Sequence, residues 1–104
     1  MIDWERVNEF RSEIGTEDFS EVVEIFLEEA DEAVASLADC TDHIELRDKC
    51  HFLKGCALNL GFTDFGVLCG QGEHKSSGQV LTSVEIDNLT NCFYCSRNAF
   101  LAGI

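Results

Sequence analysis

The chain has 104 residues, 45% of them hydrophobic, with seven Lys plus Arg against 20 Asp plus Glu and a formal net charge of −13. That length and apolar content suit one domain with a single core and exclude a disordered chain. The charge argues against nucleic acid and anionic membrane surfaces as partners, since both require cationic patches.

Apolar residues recur at helical rather than alternating spacing and proline is absent, which predicts an all-α domain. Trp4, Val7, Phe10 and Ile14 mark a short first helix ending near Gly15. Thr16 is expected to cap the second helix, with Glu17 and Asp18 near its positive end. Its stripe, Phe19, Val22, Val23, Phe26, Leu27, Ala30, Ala33, Val34 and Leu37, is the cleanest in the chain. The outer face carries Glu21, Glu24, Glu28, Asp31 and Glu32 and reads as a solvated surface. Thr41 or Asp42 caps a third helix that runs to about Leu60 and stops at Gly61. Phe62, Phe65, Leu68 and Cys69 predict a further helix from about Asp64 to Lys75, weakened by Gly66, Gly70 and Gly72. After a Ser76-Ser77-Gly78 loop, Thr82-x-x-Glu85 is a capping-box pattern. It opens a last helix with Ile86, Leu89, Cys92, Phe93, Ser96 and Phe100 on its buried side. Four substantial helices with short links predict an antiparallel up-and-down four-helix bundle, with the short N-terminal helix covering one end.

The third helix carries the chemistry. Leu46, Cys50, Leu53, Ala57 and Leu60 form its buried stripe, which turns His51 roughly 140° away, toward water. The residue that would cover the imidazole is at i+4, and it is Gly55. Mid-helix glycine costs about 1 kcal/mol relative to alanine, so room for an incoming group is the reason to expect it there. Lys54 at i+3 and Arg47 at i−4 lie on the same side. Arg47, Lys49 and Lys54 concentrate cations beside an exposed histidine in an otherwise anionic chain, which suits a histidine that carries a phosphoryl group.

The run His51-Phe52-Leu53-Lys54-Gly55, then Cys56-Ala57-Leu58-Asn59, then Leu60-Gly61, resembles the signature of histidine-containing phosphotransfer (HPt) domains. The similarity is sharp over about a dozen residues. Cys56 stands where that family often has Ser or Ala, and the glycine-rich helix that follows is a second departure. The resemblance implies a helical bundle with His51 as phosphoacceptor, Lys54 as the cation that stabilises the phosphoryl group and Gly55 as the clearance position. Arg47 and Leu58 are expected to contact a partner. The partners it implies are response-regulator receiver domains, and a hybrid histidine kinase as a further candidate. Magnesium would sit in the receiver, so no cofactor is expected on this chain.

Rival readings use the same atoms. Cys50, His51 and Cys56 are close in sequence, and Cys92-x-x-Cys95 has zinc-like spacing. Cys50 and His51 diverge by about 100° on a helix, however, and cannot chelate one ion without unwinding it. Six cysteines would fit a secreted disulfide scaffold, but Cys40, Cys50, Cys69, Cys92 and Cys95 lie mostly in or beside apolar stripes, as reduced thiols do. A non-catalytic adaptor that binds and inhibits a receiver or kinase is the reading from another class. His43 and His74, without such surroundings, are expected on the surface. The N-terminus lacks the basic-then-apolar pattern of a signal peptide and no stretch approaches the roughly 20 apolar residues of a membrane span, so a cytoplasmic protein is expected; with no exposed apolar patch evident beyond the His51 face, a monomer is expected.

Overall fold

A computed structural model describes residues 1–104. It is all-helical: α1 (Trp4–Ile14), α2 (Thr16–Ser36), a short 3-10 turn (Leu37–Asp39), α3 (His43–Leu60), α4 (Thr63–Lys75) and α5 (Ser83–Gly103). No helix is long and apolar enough to cross a membrane.

The stripes seen in the sequence become one core. From α2 it takes Phe19, Val23, Leu27, Ala30 and Val34, and from α3 Leu46, Cys50, Leu53, Ala57 and Leu60, with Cys56 joining them. Its densest part is aromatic. Phe93 lies 5.3 Å from Phe65 and 6.3 Å from Phe62, and Phe62 meets Phe100 edge-on at 5.6 Å between ring centroids. All six cysteines are free. Burial pushes the Cys50 and Cys56 thiols up to about 11, so at neutral pH they are protonated apolar side chains rather than thiolates. Cys95 differs from the expectation of burial and is exposed.

The helix ends follow from local chemistry, with one correction. Asp42 caps α3, accepting from the Ile44 amide at 2.9 Å, and Gly61 ends it in the left-handed region at φ 72°. Only glycine holds that conformation without strain. A Cβ there would also stand 2.6 Å from the Asp3 carbonyl oxygen. Thr16, expected as a cap, is instead the first residue of α2. Gly15 at φ 101° makes the corner, and its carbonyl accepts from the Asp18 and Phe19 amides.

The Thr82 box on α5 forms in full, the hydroxyl accepting from the Glu85 amide and the Glu85 carboxylate from the Thr82 amide. Lys75 donates to the same carboxylate at 2.5 Å. Lys75 first and Thr82 second hold Glu85 down to about 2 from its ordinary 4.5. A folded-state pKa below the unfolded one means stabilisation that is complete above about pH 4.5 and lost as pH falls toward 2. Glu85→Gln is therefore expected to lower the thermal midpoint at pH 7, with the gap to the parent closing in melts recorded near pH 2.

The glycines of α4 do not break it. They face α3. A Cβ at Gly66 would lie 3.5 Å from that of Ala57, one at Gly70 3.7 Å from Lys54 Cδ, and one at Gly72 3.0 Å from Cys50 Sγ. As the α4 residue number rises its α3 partner's falls, so α4 runs antiparallel along α3 at close range. Only Gly72 is there for lack of room, since a Cβ at Gly66 or Gly70 would make an ordinary van der Waals contact. Two further ties fix the register. The His43 imidazole, expected at the surface, is half-buried, with Nδ1 donating to the Ser76 carbonyl at 3.0 Å. At the other end Arg6 of α1 donates through Nε to the Leu58 carbonyl (3.2 Å) and through Nη2 to Asn59 (3.0 Å).

Candidate phosphotransfer site

His51 projects from the middle of α3 with 71% of its side chain exposed, as the apolar stripe on the opposite face of that helix requires. Across from it, one turn from the end of α4, stands Glu73. Its Oε2 is 2.8 Å from His51 Nδ1, and its Oε1 is 2.8 Å from Lys54 Nζ. One carboxylate thus holds both the histidine and the cation that the sequence had placed beside it. Gly70 is one turn earlier on the same face of α4, and the Lys54 side chain passes over it.

The electrostatics fix the imidazole tautomer. Lys54 first and His51 second hold the Glu73 carboxyl below its usual range, so it is ionised at neutral pH. An ionised carboxylate only accepts, so Nδ1 carries a proton, and in the neutral ring the lone pair is then on Nε2. An exposed neutral imidazole with a lone pair on its outward nitrogen is a nucleophile.

The remaining predicted residues are distributed around this triad. A Cβ at Gly55 would meet no atom within 4 Å, so this position of α3 borders open space. Arg47 is half-exposed and its guanidinium lies 3.4 Å from Asp48, not against the imidazole. Leu58 is 64% exposed, on the His51 side of α3 two turns on. It lines a groove of about 540 Å³ with Lys54, Arg6, Gly66 and Val67, and Val67 is as open to solvent as Leu58. Phe52, next to His51, adds a third exposed apolar side chain. No cluster of three or more His, Cys, Asp or Glu side chains suited to a metal ion is present.

Sequence reasoning missed Glu73, Val67 and the Arg6 strap. The first had a signal: Gly66, Gly70 and Glu73 follow each other at a spacing of four and three, so a glycine face that seeks another helix ends in a carboxylate.

A family model for the Hpt domain matches residues 21–98. The chain belongs to the Hpt domain family. The match runs from α2 into α5 and contains the whole of α3 and α4, hence His51, Lys54 and Glu73. Hpt domains are helical bundles that serve phosphotransfer in two-component systems and interact with receiver domains and kinases. No curated protein and no solved structure matches the chain.

Proposed function

We propose that this Hpt domain is a cytoplasmic, monomeric phosphocarrier that passes phosphoryl groups to and from receiver-domain aspartates through phosphohistidine at His51. The observation that carries the reading is the shared carboxylate: Glu73 presents Nε2 of His51 as the nucleophile and keeps Lys54 within reach of whatever that nitrogen binds.

The step balances without proton transfer. The Nε2 lone pair attacks the phosphorus of an aspartyl phosphate, the bond from phosphorus to the carboxylate oxygen breaks, and its electrons leave with the aspartate. The product is an Nε2-phosphorylated imidazolium whose Nδ1–H still donates to Glu73, and return of the phosphoryl group reverses each change. Phosphoryl transfer of this kind depends on in-line positioning and charge neutralisation. Lys54 supplies the charge from this chain, while magnesium and its acidic ligands belong to the receiver. Gly55 leaves room for the receiver's aspartate to approach in line. Leu58, with Val67 and Phe52, offers apolar surface for a transient docking of modest area, and Arg47 a cation at its edge. We read the four long helices as an up-and-down bundle with α1 over one end, a frame that holds this face rigid.

Incubation with magnesium and a phosphorylated receiver is the test, read by intact mass. A single acid-labile phosphoryl adduct is expected. Stable receiver binding with no adduct would replace the carrier with an inhibitory adaptor.

Glu73→Gln probes the carboxylate. The amide can still accept from Nδ1 but loses the charge that steadies an imidazolium, so the variant is expected to take up phosphate more slowly and the ring to spend more time as the other tautomer. Nitrogen-15 shifts of the imidazole report the second effect directly; an unchanged tautomer balance would remove Glu73 from the mechanism.

A further inference from the structure

A helix leaves its final carbonyls without an intrahelical donor, and α3 is no exception. The amides of Gly61 and Phe62 both turn back to Ala57, so the Leu58 carbonyl receives no backbone donor. The last turn also holds no basic side chain to meet the negative end of the helix dipole. Both needs are met from the N-terminal segment. The Asp3 amide, just before α1, donates to the Gly61 carbonyl at 2.8 Å, and Arg6 of α1 donates through Nε to Leu58 and through Nη2 to Asn59.

Arg6 is a strap and not a free cation. Its Nη1 is taken by Glu13 at 2.7 Å and by Glu9 at 3.4 Å, so each guanidinium nitrogen is engaged within the chain and the side chain is only 27% exposed. The planar fork alone allows this, since it reaches a carbonyl, an amide oxygen and a carboxylate at once. What the strap holds is the turn that carries Leu58. The Leu58 carbonyl lies under the guanidinium while its side chain, 64% exposed, faces the groove shared with Lys54 and Val67.

Helix ends fray when their carbonyls lack partners, and a frayed turn must be ordered again each time its side chains meet a partner. We infer that Arg6 is a positioning residue for receiver docking: by capping α3 from α1 it holds Leu58 as the receiver meets it. Arg6 acts two turns from His51 and takes no part in the transfer itself. The inference rests on the docking face proposed above. It brings into recognition a helix that lies outside the Hpt match, since α1 ends before residue 21.

Receiver domains of the same organism, with magnesium, are the probe. Two quantities are read: the half-saturating receiver concentration in phosphoryl transfer, and the dissociation constant of the unphosphorylated receiver by titration calorimetry. Arg6→Gln is expected to raise both about threefold to tenfold, the cost of ordering one or two side chains on docking, with the maximal rate held within about twofold. Leu58→Ala keeps the carbonyl and removes the side chain, so in that background Arg6→Gln should add little. Additive losses would mean that Arg6 does not act through Leu58 and would overturn the inference. So would an unchanged dissociation constant, or a fall in maximal rate in its place. Should Arg6→Gln not fold, Asn59→Ala removes one acceptor of the fork and carries the same comparison. A parent that binds receivers without taking an adduct would end the carrier reading alone, and the dissociation constants would still decide Arg6; a parent that binds no receiver would end both.

Discussion

His51→Gln is expected to abolish the phosphoryl adduct completely while the protein unfolds at nearly the temperature of its parent. Glutamine is the informative replacement because its amide can still donate to Glu73, so the variant keeps the contact and loses only the nucleophilic nitrogen. The side chain is 71% exposed, and exposed substitutions usually change stability by less than about 0.5 kcal/mol. For a domain of this size that is a shift of roughly 2–4 °C in the thermal midpoint. Intact mass after exposure to a phosphorylated receiver reads the first effect and thermal melts read the second. An adduct of undiminished yield on the variant would move the acceptor elsewhere, and His74, the other exposed histidine, would be examined next.

Lys54→Ala should be nearly as damaging to rate while sparing affinity. In the resting protein the ammonium is 2.8 Å from Glu73, and a phosphoryl group on Nε2 would bring oxygens that compete for it. The interaction with those oxygens strengthens as the group is transferred, so its loss belongs to the transition state. Removing one preorganised group of this type costs about 10²–10³ in rate. Rapid-quench transfer kinetics across a range of receiver concentrations separate the two contributions: the maximal rate should fall by that factor and the half-saturating concentration should hardly move. If the half-saturating concentration rose as much as the rate fell, Lys54 would be a docking residue and not a catalytic one.

Much of this architecture is legible in the residues. The α2 stripe, the αL stop at Gly61 and the Thr82–Glu85 box each depend on interactions within a few positions, and each is present as read. His51 faces water because Leu46, Cys50, Leu53, Ala57 and Leu60 face the core, which is a matter of helical period alone. What could not be read depends on contacts between elements. Glu73 meets His51 across 22 positions, at a register set by how α4 packs along α3. Gly72 looks like a helix breaker until the partner helix is in view, because its cost is local and the Cys50 thiol that needs the room is not. The mistaken cap at Thr16 has the opposite origin: a good capping residue stood one position inside a corner that Gly15 makes with its backbone. The half-burial of His43 is not legible locally, because its carbonyl partner, Ser76, belongs to the far end of α4.

The corner between α3 and α4 is only Gly61 and Phe62 long, and it works as a ruler. Nucleophile and carboxylate stand on opposite arms of this bend, each about three turns from it. One residue inserted there would rotate α4 by about 100° against α3 and swing Glu73 off the imidazole. Every functional side chain would still be in the sequence, and the site would be gone. The exposed stretch after Ser76 could lengthen by several residues without either arm moving. The site is thus encoded partly in a distance counted along the chain, a quantity that a residue-by-residue motif does not record.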